Sequence, residues 1–264
     1  MSKIHFFKYQ GTGNDFILID NRDFSFDSAN VDLIESLCHR RFGIGADGLM
    51  LLEPSETTSF TMRYYNSDGR ESTMCGNGGR CIAAFASNLG VVQRGEFFTF
   101  EAVDGTHEAV VDGEMVSLKM VDVSGFQEKK NGIFIDTGSP HFIKFVDDPD
   151  LEDVFNEGKY WRNHSDFSPG GTNVNFVGKP VNGEIKMRTF ERGVENETWS
   201  CGTGAVASAI ASFIIERKSK SFVMKVPGGK LTVSFDSTEA GGFKNVWLKG
   251  PVKYVFNGLI ESLE

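Results

Sequence analysis

The feature that most constrains this chain is an internal echo. Cys75-Gly76-Asn77-Gly78-Gly79-Arg80-Cys81 and Cys201-Gly202-Thr203-Gly204-Ala205-Val206-Ala207 each run from a cysteine through glycines into a small-residue helix, and the cysteines lie 126 positions apart. Other blocks repeat at an offset of 125: Gly48–Leu52 faces Asn173–Val177, and Met62-Arg63-Tyr64 faces Met187-Arg188-Thr189. Thr12-Gly13-Asn14-Asp15-Phe16 aligns with Thr137-Gly138-Ser139-Pro140-His141-Phe142 if one residue is added in the second copy. A shared offset over separate blocks implies two similar halves, 1–125 and 126–251. Two copies are too few for a solenoid, which needs about three or more to bury its core. The expected fold is therefore a pseudo-symmetric pair of α/β (mixed α+β) domains.

Composition narrows the partners. At 264 residues, 40% of them hydrophobic, the chain can bury two cores. A formal charge of −9 leaves no basic stripe to neutralise phosphates, so no nucleic-acid partner is expected. Met1–Lys8 lacks the apolar run of a signal peptide, and the apolar stretch Ala205–Ile215 is too short to span a bilayer. Four cysteines without a secretory signal fit a reducing, cytoplasmic setting, where thiols serve catalysis or packing.

Periodicity places the motifs. In the first half, apolar runs predict strands at Ile4–Tyr9, Phe16–Asp20, Leu49–Glu53, Phe60–Tyr65 and Phe97–Glu101. An amphipathic helix is expected over Val31–Arg41, capped by Asn30 or Ser28, and another over Asn77–Leu89. His107–Val111 and Met115–Met120 read as a hairpin through Asp112-Gly113. The second half repeats the order, with strands at Ile133–Asp136, Phe142–Val146, Val174–Val177 and Ile185–Phe190. A helix follows over Thr203–Glu216, and then a strand pair flanks Pro227-Gly228-Gly229.

The cysteines carry the chemistry. A helix N-terminus lowers a thiol's pKa from about 8.5 to roughly 3.5–7.5, because its unpaired N–H groups and the helix dipole favour the thiolate. The following glycines let the backbone approach a ligand, and two such helix ends suit a carboxylate. Cys75 and Cys201 are thus read as an acid/base pair acting on an amino or hydroxy acid. Cys38, on the apolar face of its helix, and Cys81 are read as core. The spacing of Cys75 and Cys81 suits no structural zinc site.

Together, Gly11-Thr12-Gly13-Asn14-Asp15-Phe16, Tyr65-Asn66-Ser67-Asp68-Gly69, Met74-Cys75-Gly76-Asn77-Gly78, Phe190-Glu191-Arg192-Gly193 and Ser200-Cys201-Gly202-Thr203-Gly204 resemble the diaminopimelate epimerase family over nearly the whole chain. The resemblance implies two domains, each a strand barrel around a central helix, with residues 252–264 joining the first and the site in the cleft between them. It implies interconversion of LL- and meso-diaminopimelate without pyridoxal phosphate or metal, towards lysine and the cell wall. Cys75 and Cys201 match the acid/base thiols, supported by His141 and Glu191. The amides of Gly76, Asn77, Gly202 and Thr203 match groups that hold the reacting carboxylate. Asn14, Asn66, Asn173, Glu191 and Arg192 match substrate contacts, and Phe256 lies where the family often has an aromatic at a homodimer contact.

Two positions depart from the family pattern: Gly48, where many members have Gln, and Ser139, where many have Asn. Both remove side-chain amides. The competing readings are a proline or hydroxyproline racemase-like enzyme, a phenazine-type isomerase, a thiol redox protein and an amino-acid-binding module. The racemases tend to show Cys-Gly-His where this chain has Cys75-Gly76-Asn77, and the phenazine-type enzymes lack the cysteine pair.

Overall fold

The structure is a computed structural model and describes residues 3–181, 183–217 and 219–261. The chain divides into two compact units, one up to Leu118 and again from Pro251 onward, the other Lys119–Gly250.

In the first unit, β1 (Lys3–Gly11) and β2 (Asn14–Asp20) are followed by α1 (Val31–Cys38), β3 (Gly48–Glu53) and β4 (Thr61–Asn66). Then come α2 (Gly76–Asn88), β5 (Phe97–Ala102), β6 (Gly105–Asp112) and β7 (Met115–Lys119). Pairing runs β1–β2 antiparallel, β2–β3 parallel, β3–β4 antiparallel, β4–β5 parallel, and β5–β6–β7 antiparallel. The C-terminal strand Lys253–Glu261 pairs antiparallel with β1. The small-residue helix α2 packs against β1, β2, β3 and β6. Its glycines allow that close approach: a Cβ on Gly79 would lie 2.7 Å from Met74 Sδ and 3.0 Å from Leu118 Cδ2.

The second unit holds β8 (Gln127–Lys129), β9 (Gly132–Asp136), β10 (Pro140–Phe145), α3 (Val154–Arg162), β11 (Asn173–Val177) and β12 (Glu184–Glu191). It continues with β13 (Asn196–Thr198), α4 (Gly202–Glu216), β14 (Ser221–Val226), β15 (Gly229–Ser237) and β16 (Phe243–Pro251), leaving Lys253–Glu261 as β17. The pairing pattern of the first unit returns: β9–β10 antiparallel, β10–β11 parallel, β11–β12 antiparallel, β12–β14 parallel, β14–β15–β16 antiparallel. Helix α4 packs against β9, β10, β11, β12, β14 and β15.

The repeat extends to register. Phe16 pairs with Gly48 as His141 pairs with Asn173, and Leu49 with Tyr65 as Val174 pairs with Phe190, every residue displaced by 125. The added residue expected near His141 is absent, so Phe16 corresponds to His141 and not to Phe142. A one-residue slip would have turned each side chain to the opposite face of its strand. The true register puts Ile17, Leu49, Leu51 and Tyr65 in one core and their counterparts Phe142, Val174, Phe176 and Phe190 in the other. Each fully buried aliphatic or aromatic chain there is worth about 1.5–3 kcal/mol.

Two helices differ from expectation. Asn30 caps α1 by accepting from Leu33 N at 3.0 Å, but the helix stops at Cys38, three residues early. His39 turns to extended backbone and the chain folds back until a Cβ on Gly43 would sit 2.0 Å from Ser36 O, which no continuing helix permits. Helix α3 lies outside the expected elements, and it carries Gly158, a weak helix former, in its interior. That glycine lets α3 lie on the sheet: a Cβ there would meet Phe190 Cβ at 2.4 Å.

Candidate active site

In the first unit Cys75 occupies the N-cap of α2, in extended backbone (φ −102, ψ 150), and its Sγ accepts a hydrogen bond from Gly78 N at 3.2 Å. One turn on, Arg80 is fully buried. Its Nη1 donates to Gly76 O at 3.1 Å, and its Nη2 donates to Asn77 Oδ1 at 2.8 Å and Thr12 Oγ1 at 3.2 Å. No carboxylate among the described residues pairs with it, and its buried Nε has no hydrogen-bond partner. Burial lowers this guanidinium to a pKa of about 10.

Arg80 thereby orients the Asn77 amide, whose Nδ2 donates to Asn14 Oδ1 at 3.3 Å. Asn14 in turn donates to Asp47. Asp47 belongs to an ion cluster in which Arg40 bridges Asp47 and Asp15, each at 2.6 Å, and Lys8 meets Asp15 at 2.6 Å. Burial works to raise the Asp15 carboxyl, but the bonds from Arg40 and Lys8 hold it below the usual range. The side-chain amides of Asn14 and Asn77 therefore come together with fixed orientation. Asn66 lies at the exposed end of β4, opposite Gly48.

In the second unit Cys201 is the N-cap of α4 and is buried. Its surroundings are a chain of neutral hydrogen bonds. Thr189 Oγ1 donates to Asn175 Oδ1 at 2.9 Å, so the Asn175 Nδ2 faces His141 Nδ1 as donor at 3.0 Å. His141 Nε2 must then carry the proton and donate to Thr203 Oγ1 at 2.9 Å, which leaves the Thr203 hydroxyl hydrogen for Cys201 Sγ at 3.5 Å. A thiolate at Cys201 would thus be met by a hydroxyl whose direction is set three groups away. Gly204 keeps the chain intact, since a Cβ there would press on Asn175 Oδ1 at 2.6 Å.

The register shows how the half-sites differ. Thr189, Asn175 and His141 correspond to Tyr64, Met50 and Phe16, and Arg80 to Val206. One thiol thus has a buried cation near its helix turn, the other a polar relay. Asn175 was missed from the sequence, although Asn173-Val174-Asn175 alternates and so puts both amides on one face of a strand. Asn173 donates to Ser139 Oγ and to Pro140 O, each at 2.9 Å, and accepts from Arg192 N at 2.8 Å. Ser139 thus holds that amide in place. Arg192 also donates to Gly170 O at 3.3 Å, and Glu191 is half-buried at the end of β12. Cys38 and Cys81 are core residues, as expected. Burial pushes the Cys38 thiol up to about 12 and the Cys81 thiol higher still. Among the described residues no group of three or more His, Cys, Asp or Glu is arranged to hold a metal.

Burial, aided by the charge of Arg192, lowers the His141 pKa from 6.5 to about 3, so its imidazole is neutral at neutral pH. Between those values the unfolded chain binds a proton that the folded chain refuses, so this contribution to stability is complete above pH 6.5 and lost as pH falls. The slope is about 1.4 kcal/mol per pH unit. Urea unfolding at pH 7 and pH 5 should show wild type losing about 2 kcal/mol more than His141→Gln. Equal losses would count against a buried neutral imidazole.

A family model described as diaminopimelate epimerase matches residues 6–121 and 133–255. The diaminopimelate epimerase of Flavobacterium psychrophilum is 49% identical over 256 residues, covering 96% of this chain and 99% of its own. That of Chlorobaculum tepidum is 45% identical, covering 95% and 98%. Among solved structures, a Bacillus anthracis phenazine biosynthesis protein of the PhzF family superposes with a TM-score of 0.80 at 14% identity, covering 99% of this chain and 100% of its own. A hydroxyproline epimerase from Agrobacterium vitis superposes with a TM-score of 0.69 at 13% identity, covering 98% and 92%. Those two likenesses show the fold, whereas the family model and near-full-length relatives show more: the chain belongs to the diaminopimelate epimerase family.

Proposed function

We propose that this protein interconverts LL- and meso-diaminopimelate, a step towards lysine and peptidoglycan precursors, with Cys75 and Cys201 as the acid/base pair. The observation that carries this reading is the matched placement of two thiols, each at the N-cap position of a glycine-initiated helix at equivalent points of a register-true repeat. One sulfur, as thiolate, takes the α-hydrogen as a proton, and the electron pair stays on the α-carbon beside its carboxylate. The other, as thiol, gives its proton to the opposite face, so the configuration inverts and the two thiols exchange roles. The amides at the starts of α2 and α4 offer N–H groups to the carboxylate as its charge builds. Glu191 and Arg192 complete the substrate contacts in this reading, and no cofactor takes part.

The test is proton NMR of LL-diaminopimelate in heavy water with reduced enzyme. The α-proton signal should disappear as the meso isomer forms. Absence of both changes with wild type would discard the reading.

The same reading takes the protein as a cytoplasmic homodimer. No helix among the described residues is long and apolar enough to cross a membrane. The strand β17 leaves Tyr254, Val255, Phe256 and Leu259 substantially exposed, a face of the kind a second copy would cover. Phe256→Glu should therefore elute as a monomer where wild type elutes as a dimer, and equal elution volumes would remove Phe256 from the contact.

A further inference from the structure

Gly48 is a glycine that its own backbone does not need. It sits in a fully buried strand, outside the left-handed region, where a β-branched residue would be favoured. A strand glycine of this kind marks a close approach by a neighbour. A Cβ on Gly48 would lie 2.6 Å from Tyr64 Cε2, 3.1 Å from Tyr64 Oη and 2.5 Å from Tyr65 O. The Tyr64 ring, set edge-on to Phe16 with centroids 6.0 Å apart, therefore lies over Gly48 and fills the room of its side chain.

That face of the sheet is the one turned to Cys75. Met50 pairs with Tyr64 and Gly48 with Asn66, so all four share a face. A Cβ on Gly78 would touch Met50 Sδ at 3.4 Å and Cys75 Sγ at 3.2 Å. In the second unit the register counterpart of Gly48 is Asn173, which presents an amide at this point. In the first unit the polar atom at the same point is the hydroxyl of Tyr64.

We infer that Tyr64 is a specificity-determining residue of the site, its hydroxyl binding the α-amino carboxylate of the substrate that is remote from the reacting carbon. Gly48 and Tyr64 then act as a pair: the ring and the Tyr65 backbone oxygen leave room only for glycine, and the ring carries the hydrogen-bonding group that position 48 lacks. The inference rests on the proposed function and names one residue of that same site.

The test compares wild type with Tyr64→Phe, which keeps the ring and removes only the hydroxyl. Calorimetric titration with meso-diaminopimelate should show Kd about 10-fold weaker, and KM for LL-diaminopimelate should rise by a similar factor. Gly48→Gln should lower the thermal midpoint, because the new side chain meets the ring. Unchanged Kd and KM in Tyr64→Phe, with wild type active, would overturn the role of Tyr64 alone. A wild type that neither binds nor inverts diaminopimelate would overturn the proposed function, and this inference with it.

Discussion

Cys75→Ala and Cys201→Ala should each lower inversion of diaminopimelate by about 10³-fold or more, with the fold intact. Inversion needs a proton taken from one face and a proton given to the other, so a single remaining thiol cannot complete it. A remaining thiol can still take a hydrogen, exchange it with solvent and return it to the same face. Each variant should therefore retain slow deuterium wash-in on one isomer only, opposite for the two variants, and without inversion. Proton NMR in heavy water on both isomers measures this directly. Residual inversion above about one-hundredth of wild type in either variant would sink the two-thiol mechanism. The fold should survive because Cys201 makes no cap hydrogen bond to α4 and because α2 and α4 pack against the strands of their own units.

Arg80→Met should separate activity from stability. Burying a guanidinium costs several kcal/mol, and here no carboxylate among the described residues offsets it. Against that, the variant leaves Gly76 O and Asn77 Oδ1 with weaker partners, at about 1–3 kcal/mol each. These terms oppose each other, so folding free energy should change by less than about 2 kcal/mol. Inversion should fall by about 10²-fold, because the Asn77 amide loses its anchor and the positive charge near the Cys75 turn disappears. Arg80→Lys keeps the charge without the fork and should recover only part of the rate. Urea unfolding alongside the inversion rate checks both halves. A rate within threefold of wild type would make Arg80 a packing residue, and a collapse of stability with no further loss of rate would do the same.

Much of this was legible in one dimension because it is local. Cysteine followed by glycine and small residues is enough to start a helix with a thiol at its N-cap, and both α2 and α4 begin there. Strand alternation likewise placed β3, β4, β11 and β12 to within a residue or two of their ends. The repeat offset survived down to individual strand pairs, since register is tightly specified wherever a strand is buried. It failed only where one phenylalanine was matched to another by type, and the sheet decided for the register instead.

The sequence by itself determined the two halves, their order of elements and the two thiols, because each depends on neighbours within a turn or a strand. Only the tertiary structure decided what surrounds those thiols. Asn175 reaches His141 across paired strands, Arg80 meets Thr12 from 68 positions away, and Tyr64 lies over Gly48 from the adjacent strand. Likewise β17 returns to pair with β1 from the far end of the chain, and the missing side chain of Gly158 lets α3 lie against Phe190. Such contacts carry no local periodicity. Their energies come from burial and hydrogen-bond geometry that exist only once the strands are in register, so a linear pattern holds the residues without the pairings that give them their roles.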